Sequence, residues 1–196
     1  VPFLTRVAVR RVGSDRWELL EDLVYQGRWE TITVPAGFRT DFASVPALTA
    51  SLIPRTGPWD EAAVLHDYLC TDLRRYWEEQ QLYLRVRSEN GRPLYPHPRP
   101  PLVSARDADG LFRRIMREGS RLDGETPEDA VGPVTRWLMW TAVRWGAAGN
   151  PARRAGWWRD APAVLGISLA VVLVVLAALA AVTLAAQGVA VAALLA

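Results

Sequence analysis

No charged residue follows Asp160 in this 196-residue chain. Between Ala163 and Ala186 the only polar side chains are Ser168 and Thr183. As a helix those 24 residues would extend about 36 Å, enough to cross a hydrocarbon layer of about 30 Å. The sequence therefore predicts one C-terminal transmembrane helix over 161–187. Gln187-Gly188 is followed by eight apolar residues, too few for a second span, so 188–196 reads as a short apolar tail. Trp157 and Trp158 suit the membrane–water interface, and the arginines of the basic linker 151–160 carry the positive-inside signal. The expected setting is single-pass in the cytoplasmic membrane, with the N-terminal domain on the cytoplasmic side. Residues 1–20 lack the apolar core of a signal peptide.

Everything charged lies before that span, and residues 1–150 read as one soluble domain. The net charge of +2 hides an asymmetry. Residues 1–135 hold 18 arginines against 20 acidic residues, whereas 136–160 hold five arginines against Asp160 alone. A basic excess beside an apolar helix points to a lipid bilayer as partner; nucleic acid is not expected. The single Cys70 excludes an intramolecular disulfide.

Along the domain, residues 5–34 alternate short β-branched and aromatic runs with turn residues, which predicts an antiparallel meander of about three strands. Pro35 to Pro46 then forms a proline-bounded loop around Gly37. Thr40, Asp41 and Ser44 in that loop suit turn and cap chemistry, or alternatively present Asp41 to a site. Helix one is predicted from Pro58 to about Leu73, with an extension through Arg87 open, and buries Ala62, Leu65 and Leu69. Residues 88–103 hold five prolines and read as a loop or insertion, in which His97 is an exposed side chain. Helix two spans Ser104 to Glu118, with Asp109 beside its apolar face. Helix three follows Thr126-Pro127, and Trp137, Trp140 and Trp145 beside Arg136 and Arg144 suggest that its end approaches lipid headgroups. The fold class is thus α+β: a short N-terminal antiparallel meander, an α-helical region and one transmembrane helix.

His66 is one of only two histidines and stands beside Asp67 on an otherwise core-like helix. Four residues on lies Cys70, a spacing that admits a zinc pair, although no second pair at ligand spacing accompanies it.

Three ordered motifs carry a resemblance: Gly37-Phe38-x-Thr40-Asp41-x-Ala43-Ser44-Val45-Pro46, then Ala62 to Leu69, then Arg106-x-x-Asp109-x-x-Phe112-x-x-x-Met116. Over about residues 30–120 the chain resembles the domain-of-unknown-function family 1353, found in phages and prophages. That resemblance implies a phage or prophage setting, with phage structural or lysis proteins as partners, and no assigned activity. The 74–103 insertion, Cys70 and the membrane tail depart from the usual pattern. A more distant likeness joins Asp60-x-x-Ala63-x-x-His66-Asp67 and Ala108-Asp109 to the catalytic helices of phospholipases A2, especially the viral type. It implies His66 as general base, Asp109 as its orienter and Asp67 as a calcium ligand. Asp41 and the carbonyls of Gly37 to Thr40 are the candidates for the further oxygens that calcium requires. The glycine-rich calcium loop of those enzymes is absent.

Two functions follow as expectations. One is a membrane-anchored accessory protein in which His66, Asp67, Asp109 and Asp41 form a buried polar network. The other is a calcium-dependent hydrolase of phospholipid esters held on its substrate by the tail.

Overall fold

A computed structural model describes residues 3–28, 30–42, 56–90, 96–119 and 131–195. Helices dominate, and the strands are short. Strands β1 (Val9–Arg11), β2 (Trp17–Leu19) and β5 (Arg39–Thr40) form a three-stranded antiparallel sheet in the order β1-β2-β5. Strands β3 (Leu23–Gln26) and β4 (Thr31–Val34) form a separate hairpin in which Leu23 faces Val34 and Tyr25 faces Ile32. Burial alternates along β4, with Ile32 and Val34 inward and both threonines outward, as a half-buried strand requires. The N-terminal segment thus holds five short strands in two sheets where about three in one meander were expected.

The connection from β4 to β5 positions the site. Phe38 N–H donates to the Pro35 carbonyl at 3.1 Å, and Gly37 sits at φ 83°. This is a tight turn whose third residue needs positive φ, the reason glycine stands there. The chain reverses, β5 pairs with β2 through Trp17 and Thr40, and Thr40 arrives facing the first helix. Phe42 follows at φ 59°, its N–H donating to Thr40 Oγ1 at 2.9 Å. Ser44 and the rest of that predicted loop, 43–46, lie outside the described residues.

Helix α1 runs from Asp60 to Asn90, past the longer of the two expected extents, which ended at Arg87. Ala62, Ala63, Val64, Leu65 and His66 are all buried, so at that turn the helix is surrounded. Beyond Leu73 it is mostly exposed. The last residues of α1 therefore occupy the start of the predicted 88–103 loop. Residues 96–103 continue without regular structure and are tied back where Leu102 N–H donates to Asp72 at 2.8 Å.

Helix α2 (Ala105–Glu118) starts at Ser104, whose hydroxyl accepts from Asp107 N–H, and stops at Gly119 with φ 73° and ψ 164°. Its buried face is Ala105, Ala108, Asp109, Leu111, Phe112, Ile115 and Met116. Helix α3 runs from Pro133 to Gly149 with proline in its first turn. The predicted start at Thr126-Pro127 lies outside the described residues. One continuous core joins both sheets to α1, α2 and the inner side of α3.

The chain divides into two units, residues 1–157 and 158–196. After a short 3-10 turn (Trp157–Arg159), the second is helix α4, Ala161–Leu195. Its stretch Ala161–Gln187 is long and apolar enough to cross a membrane. The helix runs past Gln187, where the span was expected to end. Ser168 and Thr183 turn their hydroxyls onto the helix's own carbonyls at Val164 and Ala180, each at 2.8 Å, so neither seeks an outside acceptor.

Candidate functional site

His66 projects from the surrounded turn of α1 toward α2. There it meets Asp109, the only charged side chain on the buried face of α2, which is 0% exposed. The imidazole Nε2 lies 2.7 Å from Asp109 Oδ1. Burial alone would raise the Asp109 carboxyl, but the His66, Arg153 and Arg144 partners outweigh it and hold the group below the ordinary carboxylate range. An ionised carboxylate only accepts, so Nε2 carries the proton and donates it. Phe112 covers the imidazole with ring centroids 5.0 Å apart.

Two arginines share the same carboxylate. Arg144, from the inner side of α3 and 0% exposed, donates from Nη1 to Asp109 Oδ2 at 2.8 Å. Arg153 reaches back from the turn after α3 and donates to Asp109 Oδ1 at 2.5 Å and to the Val143 carbonyl at 3.3 Å. That turn is built by Asn150, whose side chain accepts from Ala152 N–H and whose carbonyl accepts from Arg153 and Arg154 N–H. Trp157 clamps it by donating from Nε1 to the Arg144 carbonyl at 2.6 Å. Asp109 is therefore a hub for α1, α3 and the turn after α3.

Cys70 is partly exposed, with Sγ 3.6 Å from Nε2 and 3.9 Å from Nδ1 of His66. Burial opposes charge on His66, yet the pull of the Cys70 sulfur and of Asp109 exceeds it and pushes the imidazole up to about 10. At neutral pH such a ring holds its proton.

Asp67 faces the other way, toward the β5 side. Thr40 Oγ1 donates to its Oδ2 at 2.6 Å. Burial is the main cause that pushes this carboxyl up to about 7, with the neighbouring negative charge of Asp41 adding to it against Thr40 and His66. The structure thus brings Asp41 to Asp67 and Asp109 to His66, as two neighbouring pairs on adjacent residues of α1. These two carboxylates fit a cation in charge and would be the residues to hold calcium. They supply only part of the six to eight oxygens that ion takes. Among the described residues no group of three or more His, Cys, Asp or Glu side chains is placed to hold a metal ion, so the zinc alternative at His66 and Cys70 lacks further ligands. His97 is exposed, stacks on Tyr83 at 5.1 Å and stands apart from the site, as expected.

Arg144 and Arg153 were not foreseen as site residues. Arg144 had a legible signal: it sits four residues after Trp140 and three before Ala147, on the inner arc of α3. Arg153 had none, because its reach depends on a turn that no helical or strand period encodes.

The family described as "Protein of unknown function (DUF1353)" matches residues 17–143. The match covers more than half of the chain and includes Asp41, His66, Asp67 and Asp109, and the chain belongs to that family. Arg144, Arg153 and α4 lie beyond the matched segment. No curated protein and no solved structure matches the chain.

Proposed function

We propose that the protein is a membrane-anchored accessory protein of a phage or prophage, in which the Asp109 cluster locks helices together and turns over no substrate. The observation that carries this reading is the fully buried Asp109 accepting from three cationic side chains of three different segments. A carboxylate that serves a general base stabilises the imidazolium that forms beside it. Here its charge is shared with two permanent cations, and the histidine retains its proton at neutral pH. The apolar length of α4 supports an anchor in the cytoplasmic membrane. The basic linker supports a cytoplasmic domain, with phage structural or lysis proteins as the partners. Protease should remove a tag added after Ala196 from outside spheroplasts; protection there would reverse the topology.

A second reading, a calcium-dependent hydrolase of phospholipid esters, is favoured by one observation: the His66 Nε2–Asp109 bond at 2.7 Å on packed helices. In it His66 would be the general base, Asp109 its orienter, and Asp67 and Asp41 the carboxylates for calcium. Fatty-acid release from mixed phospholipid vesicles, with calcium and with chelator, separates the two. The lock reading expects no calcium-dependent release from wild type and a loss of stability in His66→Gln. Release that requires calcium and disappears in His66→Gln would establish the hydrolase.

A further inference from the structure

The two arginines on Asp109 are held in different ways. Arg144 is carried by helix α3 and is 0% exposed. Arg153 is carried by a turn, and its side chain is 11% exposed. Arg153 Nη2 and His66 Nε2 both donate to Asp109 Oδ1 and stand 3.4 Å apart, so two donors crowd one acceptor. The other bond of Arg153, to the Val143 carbonyl, is long at 3.3 Å. Its Nε is buried and finds no partner among the described residues, a cost present only while the side chain is docked.

The backbone that delivers Arg153 is short and separable. The amides of 152, 153 and 154 donate to Asn150, and that of Trp157 donates to the Arg154 carbonyl, so these bonds stay inside the turn. Gly149 ends α3 and Gly156 sits at φ 73°, a region open to glycine, which lets the turn pivot at both ends. Trp157 fastens the turn to α3, whereas Arg153 fastens it to α2 beside His66.

Arg153 also stands over the buried pair. His66 is 7% exposed and Asp109 0%. Outside them lie two partly exposed neighbours, Cys70 with Sγ at 3.6 Å and Arg153 with Nη2 at 3.4 Å from the same His66 Nε2. We propose that residues 150–157 form a releasable strap. Docked, Arg153 covers the His66–Asp109 pair; lifted, it uncovers the pair while Arg144 still joins α2 to α3. This inference deepens the lock reading of Asp109 and rests on it. In the hydrolase reading the docked strap is an autoinhibitory contact, because Arg153 occupies the oxygen that orients His66.

Hydrogen exchange on the full-length protein in detergent micelles, read by mass spectrometry at rising sub-denaturing urea, tests the strap. Peptides over 150–157 should exchange at a rate that urea leaves unchanged, because a local opening exposes little surface. Peptides over the α3 segment 139–147 should speed up with urea. Arg153→Gln should accelerate 150–157 about tenfold and leave α2 and α3 as they are. Cys70, the only thiol, reads the cover. Its rate with a bulky maleimide divided by its rate with iodoacetamide, each relative to glutathione, should rise several-fold in Arg153→Gln. That ratio cancels any change in the thiolate fraction. Urea dependence shared by 150–157 and α3 overturns the strap, and so does an unchanged thiol ratio. Lost protection over α2 and α3 in Arg153→Gln also overturns it, by making Arg153 a member of the lock. If Asp109→Asn keeps wild-type stability, the lock itself fails; if that stability is lost, any of these results removes the strap alone.

Discussion

At the scale of single residues, Asp109 decides most. Removing its charge with Asp109→Asn takes from His66, Arg144 and Arg153 the buried carboxylate that they share, which costs about 3–5 kcal/mol. Urea unfolding followed by circular dichroism should show that loss; a loss below 1 kcal/mol, on the scale of a surface substitution, would remove Asp109 from its place as hub. The two raised groups of the site each add a pH dependence. Asp67 rises from 3.8 to about 7, so its contribution is full below pH 3.8 and lost as pH climbs through 7. His66 rises from 6.5 to about 10, so its contribution is full below 6.5 and lost as pH climbs through 10. Asp109 is lowered and acts in the opposite sense, its contribution vanishing only in acid. The urea midpoint should therefore fall between pH 7 and pH 10, and His66→Gln should flatten that limb. An unchanged slope in the variant would mean that another group titrates there. The pairing of His66 with Asp109 was legible, because a lone carboxylate on an apolar helix face needs a buried partner. The two arginines were not, since nothing in their local spacing says which carboxylate they reach.

Elements were legible where a period or a cap is encoded. Helix α2 has Ser104 before it, an apolar face along it and Gly119 after it, and it forms where that pattern predicts. Ser104→Ala should cost about 1 kcal/mol through the lost cap. Gly119→Ala should cost about 1–3 kcal/mol, because φ 73° with ψ 164° is a region that side chains avoid. Both are read from urea midpoints, and a neutral Gly119→Ala would show that the helix end relaxes. The strands were less legible. Three- and four-residue strands are fixed by which neighbour they pair with, and β5, only Arg39–Thr40, is a strand because β2 is beside it. The length of α1 was left open because its exposed half carries helix-forming polar residues but little buried face to mark where it stops.

For the whole molecule, α4 has the clearest consequence. It is 35 residues, about 52 Å as a helix, longer than a hydrocarbon core, so a membrane that it crosses would accommodate it by tilt or by letting one end project. It should resist extraction by alkaline carbonate. Leu173→Arg with Val174→Arg, at about 2.5–3.5 kcal/mol each near the bilayer centre, should move the protein to the soluble fraction. Continued retention would assign membrane attachment to the domain. Arg144 has a different consequence, for the order of assembly. A guanidinium cannot discharge itself by losing a proton, so the inner side of α3 brings a fixed positive charge into the interior, where Asp109 of α2 meets it. Docking of α3 on α2 therefore carries that charge onto its carboxylate in the step that buries it. Hydrogen exchange on Asp109→Asn should find the α3 amides open together while the β3–β4 hairpin stays protected.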